Sequence, residues 1–209
     1  MSRPPAVKIC GVRTAADARA AAEAGATMVG LVFVPGSPRE IGRAEAEAIL
    51  AALPAAVEPV ALLAGADEGH PVLGWWRGRV QLHGDEDEAA CGRIAARGHA
   101  VMRWFAFSPG EVARWDACSA VDTLVVDGPR GGSGHGFDHA ALAALVPGLR
   151  ARVLLAGGLT PANVAAAVAA VRPWGVDVSS GVERTRGTKD HGMVVEFCRA
   201  ARGQVTGPR

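Results

Sequence analysis

The sequence predicts an α/β fold of one kind, a (β/α)₈ barrel in which eight parallel strands close on themselves inside an outer ring of helices. Three observations lead there. Short apolar runs bounded by Gly, Pro or Asp recur every 20 to 30 residues, Ala-rich segments of helical character separate most of them, and each kind of segment occurs eight times. The runs 7–11, 28–33, 59–63, 80–83, 100–105, 123–127, 153–156 and 176–179 are predominantly apolar, as strands covered on both faces are. The first helix, 14–24, opens on Thr14 with Asp17 three residues later, which resembles a capping box, and Gly25 stands where a C′ glycine belongs. The second is 43–53. The third, 71–76, is short and contains Gly74 and two tryptophans, a poor composition for a helix. The fourth, 86–97, stops before Gly98. The fifth, 109–118, and the seventh, 161–171, follow Ser108-Pro109 and Thr160-Pro161, each read as N-cap plus N1. Segments 138–146 and 189–201 supply the sixth and the last. Parallel strands need crossover connections, which these helices provide. An open doubly wound sheet is the alternative, but no GxGxxG follows the first strand.

Composition narrows the setting. With 49% hydrophobic and 21% charged residues, the 209-residue chain is expected to form one domain over 1–209, with frayed tails at 1–5 and 203–209. Five Phe, five Trp and no Tyr leave a core of small and branched aliphatics. The 22 basic and 21 acidic residues give a net charge of +1, no footprint for nucleic acid or an anionic membrane, so any anion must be bound locally. Cys10, Cys91, Cys118 and Cys198 form no CxxC and no His/Cys ligand spacing; no metal, no cofactor and no disulfide framework are expected. The start of the chain has no apolar h-region, and no run reaches eighteen apolar residues, so a cytoplasmic protein is expected.

In such a barrel, function belongs where the strands end and the βα loops converge. Those ends carry Cys10-Gly11, the loop Pro35 to Arg39, Ala64-Gly65, His83-Gly84-Asp85, Phe107, Asp127-Gly128, Gly157-Gly158 and Ser179-Ser180-Gly181. The loops after strands seven and eight are the usual phosphate site, and glycine there lets backbone N–H groups approach an anion; tight turns alone would explain one such pair. Cys10 ends strand one, whereas the other three cysteines fall in predicted helices; an isolated cysteine is otherwise a small buried hydrophobe. To act as a base near neutrality it needs positive potential to hold a thiolate. Asp127 closes the apolar run Leu124-Val125-Val126, where burial would keep a carboxyl protonated, as a general acid requires; a turn-capping Asp is the alternative.

These residues are similar to those of the phosphoribosylanthranilate isomerase family. Lys8-Ile9-Cys10-Gly11, Gly30-Leu31-Val32-Phe33 with Ser37-Pro38-Arg39, Val80 to Glu86, Gly131-Gly132-Ser133-Gly134 with Phe137-Asp138, Ala156-Gly157-Gly158-Leu159 and Gly175 to Glu183 occur in that family's order along nearly the whole chain. The resemblance implies an Amadori rearrangement of N-(5-phosphoribosyl)anthranilate without metal or redox cofactor. Asp127 would protonate the ribose ring oxygen, Cys10 would remove the C2′ proton, and Arg39 would pair with the anthranilate carboxylate. Gly157, Gly158, Ser180 and Gly181 would hold phosphate. Gln81, His83 and Asp177 would line the pocket, with Gly132 and Gly134 in a loop closing over the substrate. Departures from the family pattern are His135-Gly136-Phe137-Asp138-His139 after Gly134, and Ala64-Gly65 after strand three. Two rivals differ in what they require. A histidine-pathway isomerase of the same fold would carry aspartate where Cys10 stands, and a barrel that only binds a phosphorylated ligand would need no acid and base pair. The partner expected is a small phosphosugar, with a monomer favoured over a homodimer.

Overall fold

The computed structural model describes residues 4–128 and 138–203, and in it eight parallel strands close into a barrel in sequence order. They are β1 (Ala6–Cys10), β2 (Met28–Val32), β3 (Glu58–Leu63), β4 (Arg79–Leu82), β5 (Val101–Ala106), β6 (Val121–Asp127), β7 (Arg152–Leu155) and β8 (Gly175–Val178). Around them lie α1 (Ala15–Glu23), α2 (Arg43–Ala52), α3 (Glu88–Ala96), α4 (Pro109–Ala117), α5 (His139–Leu145), α6 (Val164–Val171) and α7 (His191–Ala201). The ring closes where Lys8 of β1 pairs in register with Asp177 of β8.

Local chemistry explains most boundaries. The Thr14 side chain accepts from the Asp17 N–H and starts α1, and Ser108 does the same for the Glu111 N–H ahead of Pro109. Gly25 and Gly98 follow α1 and α3 with φ of +92° and +91°, left-handed stops that a β-carbon would strain.

Three expected helices differ. The predicted 71–76 is a single 3₁₀ turn, Pro71–Gly74, because proline and glycine leave too few helix-forming residues for a full α turn. The segment expected to begin at Pro161 becomes helical only at Val164: Asn163 accepts from the Thr160 N–H and donates to the Gly158 carbonyl, which holds 160–163 as a turn. The predicted 189–201 starts at His191, since Lys189 belongs to a small antiparallel hairpin of β9 (Glu183–Thr185) and β10 (Thr188–Lys189). The tail positions 1–3 and 204–209 lie outside the described residues.

Alternation along each strand divides the core into two shells. Outward residues such as Ile9, Leu31, Leu63, Leu82 and Leu155 pack against Ile49, Ile94, Trp115 and Phe197 of the helices. Inward, Met28, Val60, Met102, Val125, Leu154 and Ala156 fill the middle of the barrel, and Cys10, Val32 and Leu62 form a smaller group. The strand starts are tied by Arg79, which pairs with Glu58 at 3.0 Å and with Asp122. The apolar plug makes the strand termini the two places where polar chemistry can gather.

Candidate active site

The same alternation decides which side chains reach the mouth at the strand C-termini. On β1 it points Lys8 and Cys10 inward together, on β4 Gln81 with His83 just beyond, and on β6 Asp127. A cavity of about 180 Å³ there is lined by Cys10, Gln81, His83, Asp127, Gly157, Gly158, Asp177, Ser180 and Gly181, so these expected site residues converge on one space. Arg39 is not in that lining, and Gly132, Gly134 and His135 lie outside the described residues. A larger groove of about 510 Å³ involves the β1–α1 loop and the hairpin, where Lys189 contributes to its wall.

Cys10 is 5% exposed. Burial pushes its thiol up; Lys8 and Lys189 draw it down and the Asp177 carboxylate adds to the rise, with a net upward displacement. The positive potential expected beside the cysteine is present, but desolvation outweighs it, and Cys10 rests as a thiol near neutrality. Lys8 is fully buried, with Nζ donating to Asp177 Oδ1 at 2.9 Å. Burial works against its charge, but Asp177 and Cys10 outweigh that and raise its pKa, so Lys8 is a permanent ammonium in the barrel interior.

Asp127 is half-buried and accepts a hydrogen bond on Oδ2 from Trp104 Nε1 at 3.0 Å. Trp104 in turn stacks on the His83 ring at 3.9 Å between centroids. One carboxyl oxygen is thus fixed by the indole while Oδ1 faces Gly157. A β-carbon on Gly157 would collide with that oxygen and with the Gly128 nitrogen, and one on Gly181 would run into the Leu159 carbonyl. These glycines are required because the loops after β6, β7 and β8 press together, which brings their backbone amides to one edge of the cavity. Gln81 is 1% exposed and its Oε1 has no hydrogen-bond partner among the described residues, a buried acceptor at the cavity wall.

Arg39 occupies a neighbouring position. Its alkyl chain covers Gly11, next to Cys10, and its guanidinium makes a bidentate pair with Glu183, Nε to Oε1 at 2.7 Å and Nη2 to Oε2 at 2.8 Å. That geometry uses one edge of the guanidinium and leaves Nη1 for another acceptor. Glu183 also accepts from Lys189 Nζ at 2.9 Å and the Gly187 N–H at 3.1 Å. Burial opposes its charge, but Arg39 and Lys189 win and hold the carboxyl down at about 2. Among the described residues, no cluster of three or more His, Cys, Asp or Glu is placed to hold a metal ion, and no helix is long and apolar enough to cross a membrane.

Sequence reading missed Lys8, Trp104, Glu183 and Lys189 as parts of this constellation. Lys8 had a usable signal, a lysine two residues before Cys10 on an apolar strand and therefore on the same face. Glu183 closes the motif that begins at Gly175, but nothing local pairs it with Lys189, because the hairpin that folds them together is too short for a periodicity to reveal.

Comparison with known proteins places this geometry. A family model described as N-(5′-phosphoribosyl)anthranilate isomerase matches residues 7–200. The protein of that name from Pseudomonas fluorescens (strain SBW25) is 39% identical over 206 residues, covering 93% of this chain and 94% of its own. The crystal structure of phosphoribosyl anthranilate isomerase from Thermotoga maritima superposes with a TM-score of 0.86 at 35% identity, over 95% of this chain and 99% of that one. A further structure of such an isomerase, in complex with reduced 1-(o-carboxyphenylamino)-1-deoxyribulose 5-phosphate, gives 0.84 at 33% identity with the same coverage.

Proposed function

The chain belongs to the phosphoribosylanthranilate isomerase family, enzymes of tryptophan biosynthesis, and from that premise we propose that it converts N-(5-phosphoribosyl)anthranilate to 1-(2-carboxyphenylamino)-1-deoxyribulose 5-phosphate with Asp127 as general acid and Cys10 as general base. The observation that supports this reading best is the strand order. Around the closed barrel run β6, β7, β8 and β1, so the acid, two glycine-bearing loops and the base succeed one another along one arc of the mouth.

A phosphate seated on Gly157, Gly158, Ser180 and Gly181 would then lie between the two proton-transfer groups. Asp127 donates its proton to the ribose ring oxygen, the C1′–O bond breaks, and the amine lone pair forms the C1′=N iminium. The Cys10 thiolate takes the C2′ proton to give the enolamine, whose tautomerisation to the ketone completes the rearrangement. Because the resting thiol lies above its ordinary range, the base is scarce before ring opening. The iminium adds a cation to Lys8 and Lys189 near Sγ at the stage that needs the thiolate. Gln81 Oε1 supplies an acceptor for a sugar hydroxyl or the amine N–H, and Asp177 faces the same space. Arg39, held on one edge by Glu183, offers its free edge to the anthranilate carboxylate.

The test is to make the substrate in situ from anthranilate and phosphoribosyl pyrophosphate, without metal, and to follow loss of its fluorescence. Cys10→Ala and Asp127→Asn are expected to lower kcat by roughly 10²-fold or more with KM little changed, and Arg39→Ala to raise KM instead. Near-normal kcat in either of the first two removes that residue from its role, and no turnover by the folded wild-type chain removes the activity.

A further inference from the structure

Cys10 is held in a ring of charged groups from five elements. Lys8 lies on its own strand, Asp177 comes from β8, Lys189 from β10, and Arg39 covers Gly11 from the β2–α2 loop; Asp127 lines the cavity from β6. The side chains of β2 and β3 beside it, Val32 and Leu62, carry no charge. An ideal β-carbon on Gly30 would lie 2.8 Å from Cys10 Sγ and 3.1 Å from Lys8 Nζ, so both side chains end over the same glycine, no more than about 6 Å apart. Glycine at that position is what allows them to meet, because any side chain would occupy the space they share.

We infer that Lys8 is a positioning residue of the reaction: its buried ammonium, clamped by Asp177, is the counter-charge that lets Cys10 become a thiolate. Three features support this. Lys8 is fully buried, so its charge acts across the barrel interior with little water to screen it. Its position is fixed, since Asp177 holds Nζ at 2.9 Å from the strand paired in register with β1. The other lysine acting on the thiol, Lys189, is itself committed to Glu183 at 2.9 Å and to the Ser179 carbonyl, which leaves Lys8 the larger influence. A salt bridge serving only stability would gain little here, because burying an ion pair costs about what it returns. Asp177 has two opposed effects: it keeps the ammonium charged and in place, and its own negative charge resists the thiolate.

This opposition makes the inference testable by sign. It rests on Cys10 being the base, so the readout is chosen to be independent of turnover: the ultraviolet thiolate absorbance of each protein is titrated against its own Cys10→Ala counterpart, which isolates the Cys10 signal. Lys8→Met is expected to move the Cys10 titration to higher pH by about one to three pH units, the range for loss of a close opposite charge. Asp177→Asn is expected to move it to lower pH. The pair Lys8→Met with Asp177→Asn leaves no unpaired buried charge, guards against a folding defect in the single variants, and is expected to fall between them but above the wild type. The acid limb of kcat/KM should follow the Lys8→Met displacement, and Lys8→Arg should restore part of it. A purely structural pair would shift neither titration, or would shift both in one direction, and either result overturns the inference. If instead Cys10→Ala retains kcat while the titrations move as stated, the base assignment fails and the Lys8–Cys10 coupling stands.

Discussion

Replacing Glu183 with glutamine tests whether the hairpin after β8 holds Arg39, the arginine proposed to bind the substrate carboxylate. The carboxylate accepts four hydrogen bonds, two from Arg39, one from Lys189 and one from the Gly187 backbone. Its side chain is 3% exposed. Displacement from an ordinary 4.5 to about 2 corresponds, at roughly 1.4 kcal/mol per pH unit, to about 3.5 kcal/mol. Screening at the rim, where a fifth of the Arg39 side chain meets solvent, reduces this to about 2 kcal/mol. The sign follows from the depressed value. Glu183 contributes fully above the unfolded-state pKa of 4.5, and the contribution fades as pH falls through about 2. Glu183→Gln is therefore expected to lose about 2 kcal/mol in urea unfolding at neutral pH, followed by tryptophan fluorescence, and the gap to wild type should shrink to roughly half near pH 3. The same variant should raise KM for the anthranilate substrate with a smaller effect on kcat, since Arg39 loses its fixed edge. A loss below about 0.5 kcal/mol, or a gap that persists on acidification, would refute the reasoning.

Gly181→Ala forces a β-carbon onto the Leu159 carbonyl and must push the β7 and β8 loops apart; competitive inhibition by inorganic phosphate is expected to weaken about tenfold, equivalent to ~1.4 kcal/mol, and unchanged inhibition would place the phosphate elsewhere. The wild-type kcat/KM is expected to keep rising with pH above neutrality, because burial holds the Cys10 thiol above its usual range; a plateau already reached below about pH 7 would show a thiolate in the resting enzyme. Cys91 and Cys198, pushed up to about 12 and about 11 by burial, should resist iodoacetamide in the folded protein at mildly alkaline pH, and rapid alkylation of either would contradict their place in the packed shell.

How far the sequence foretells this structure depends on the range of the interaction. All eight strands are present because each is a short, mostly apolar run with a turn signal at its end, and a local pattern needs no knowledge of the rest of the chain. The glycine-bearing loops after β7 and β8 were legible for the same reason: glycines at two consecutive strand ends have a meaning set by the barrel. Cys10 and Asp127 line the cavity at the mouth because strand ends point there. What was not legible is long-range pairing. Lys8 meets Asp177 across 169 positions and Arg39 meets Glu183 across 144, and neither pairing leaves a local trace. The balance of charge and burial at Cys10 was hidden for a related reason. A neighbouring lysine is visible in the chain, whereas the depth of burial that outweighs it emerges only from the packed barrel. The late start of α6 has a different origin: the Asn163 side chain bonds the Thr160 N–H and the Gly158 carbonyl and holds 160–163 as a turn.

The most direct measurement of the proposed chemistry is a crystal structure of the chain with a reduced, unreactive form of the deoxyribulose phosphate product. The expected result has the phosphate on the amides of Gly157, Gly158, Ser180 and Gly181, the C2′ carbon within about 3.5 Å of Cys10 Sγ, the former ring oxygen facing Asp127, and the carboxylate on the free edge of Arg39. A phosphate bound away from the β7 and β8 loops, or a C2′ carbon turned from Cys10 toward another group, would contradict the assignment of base and acid.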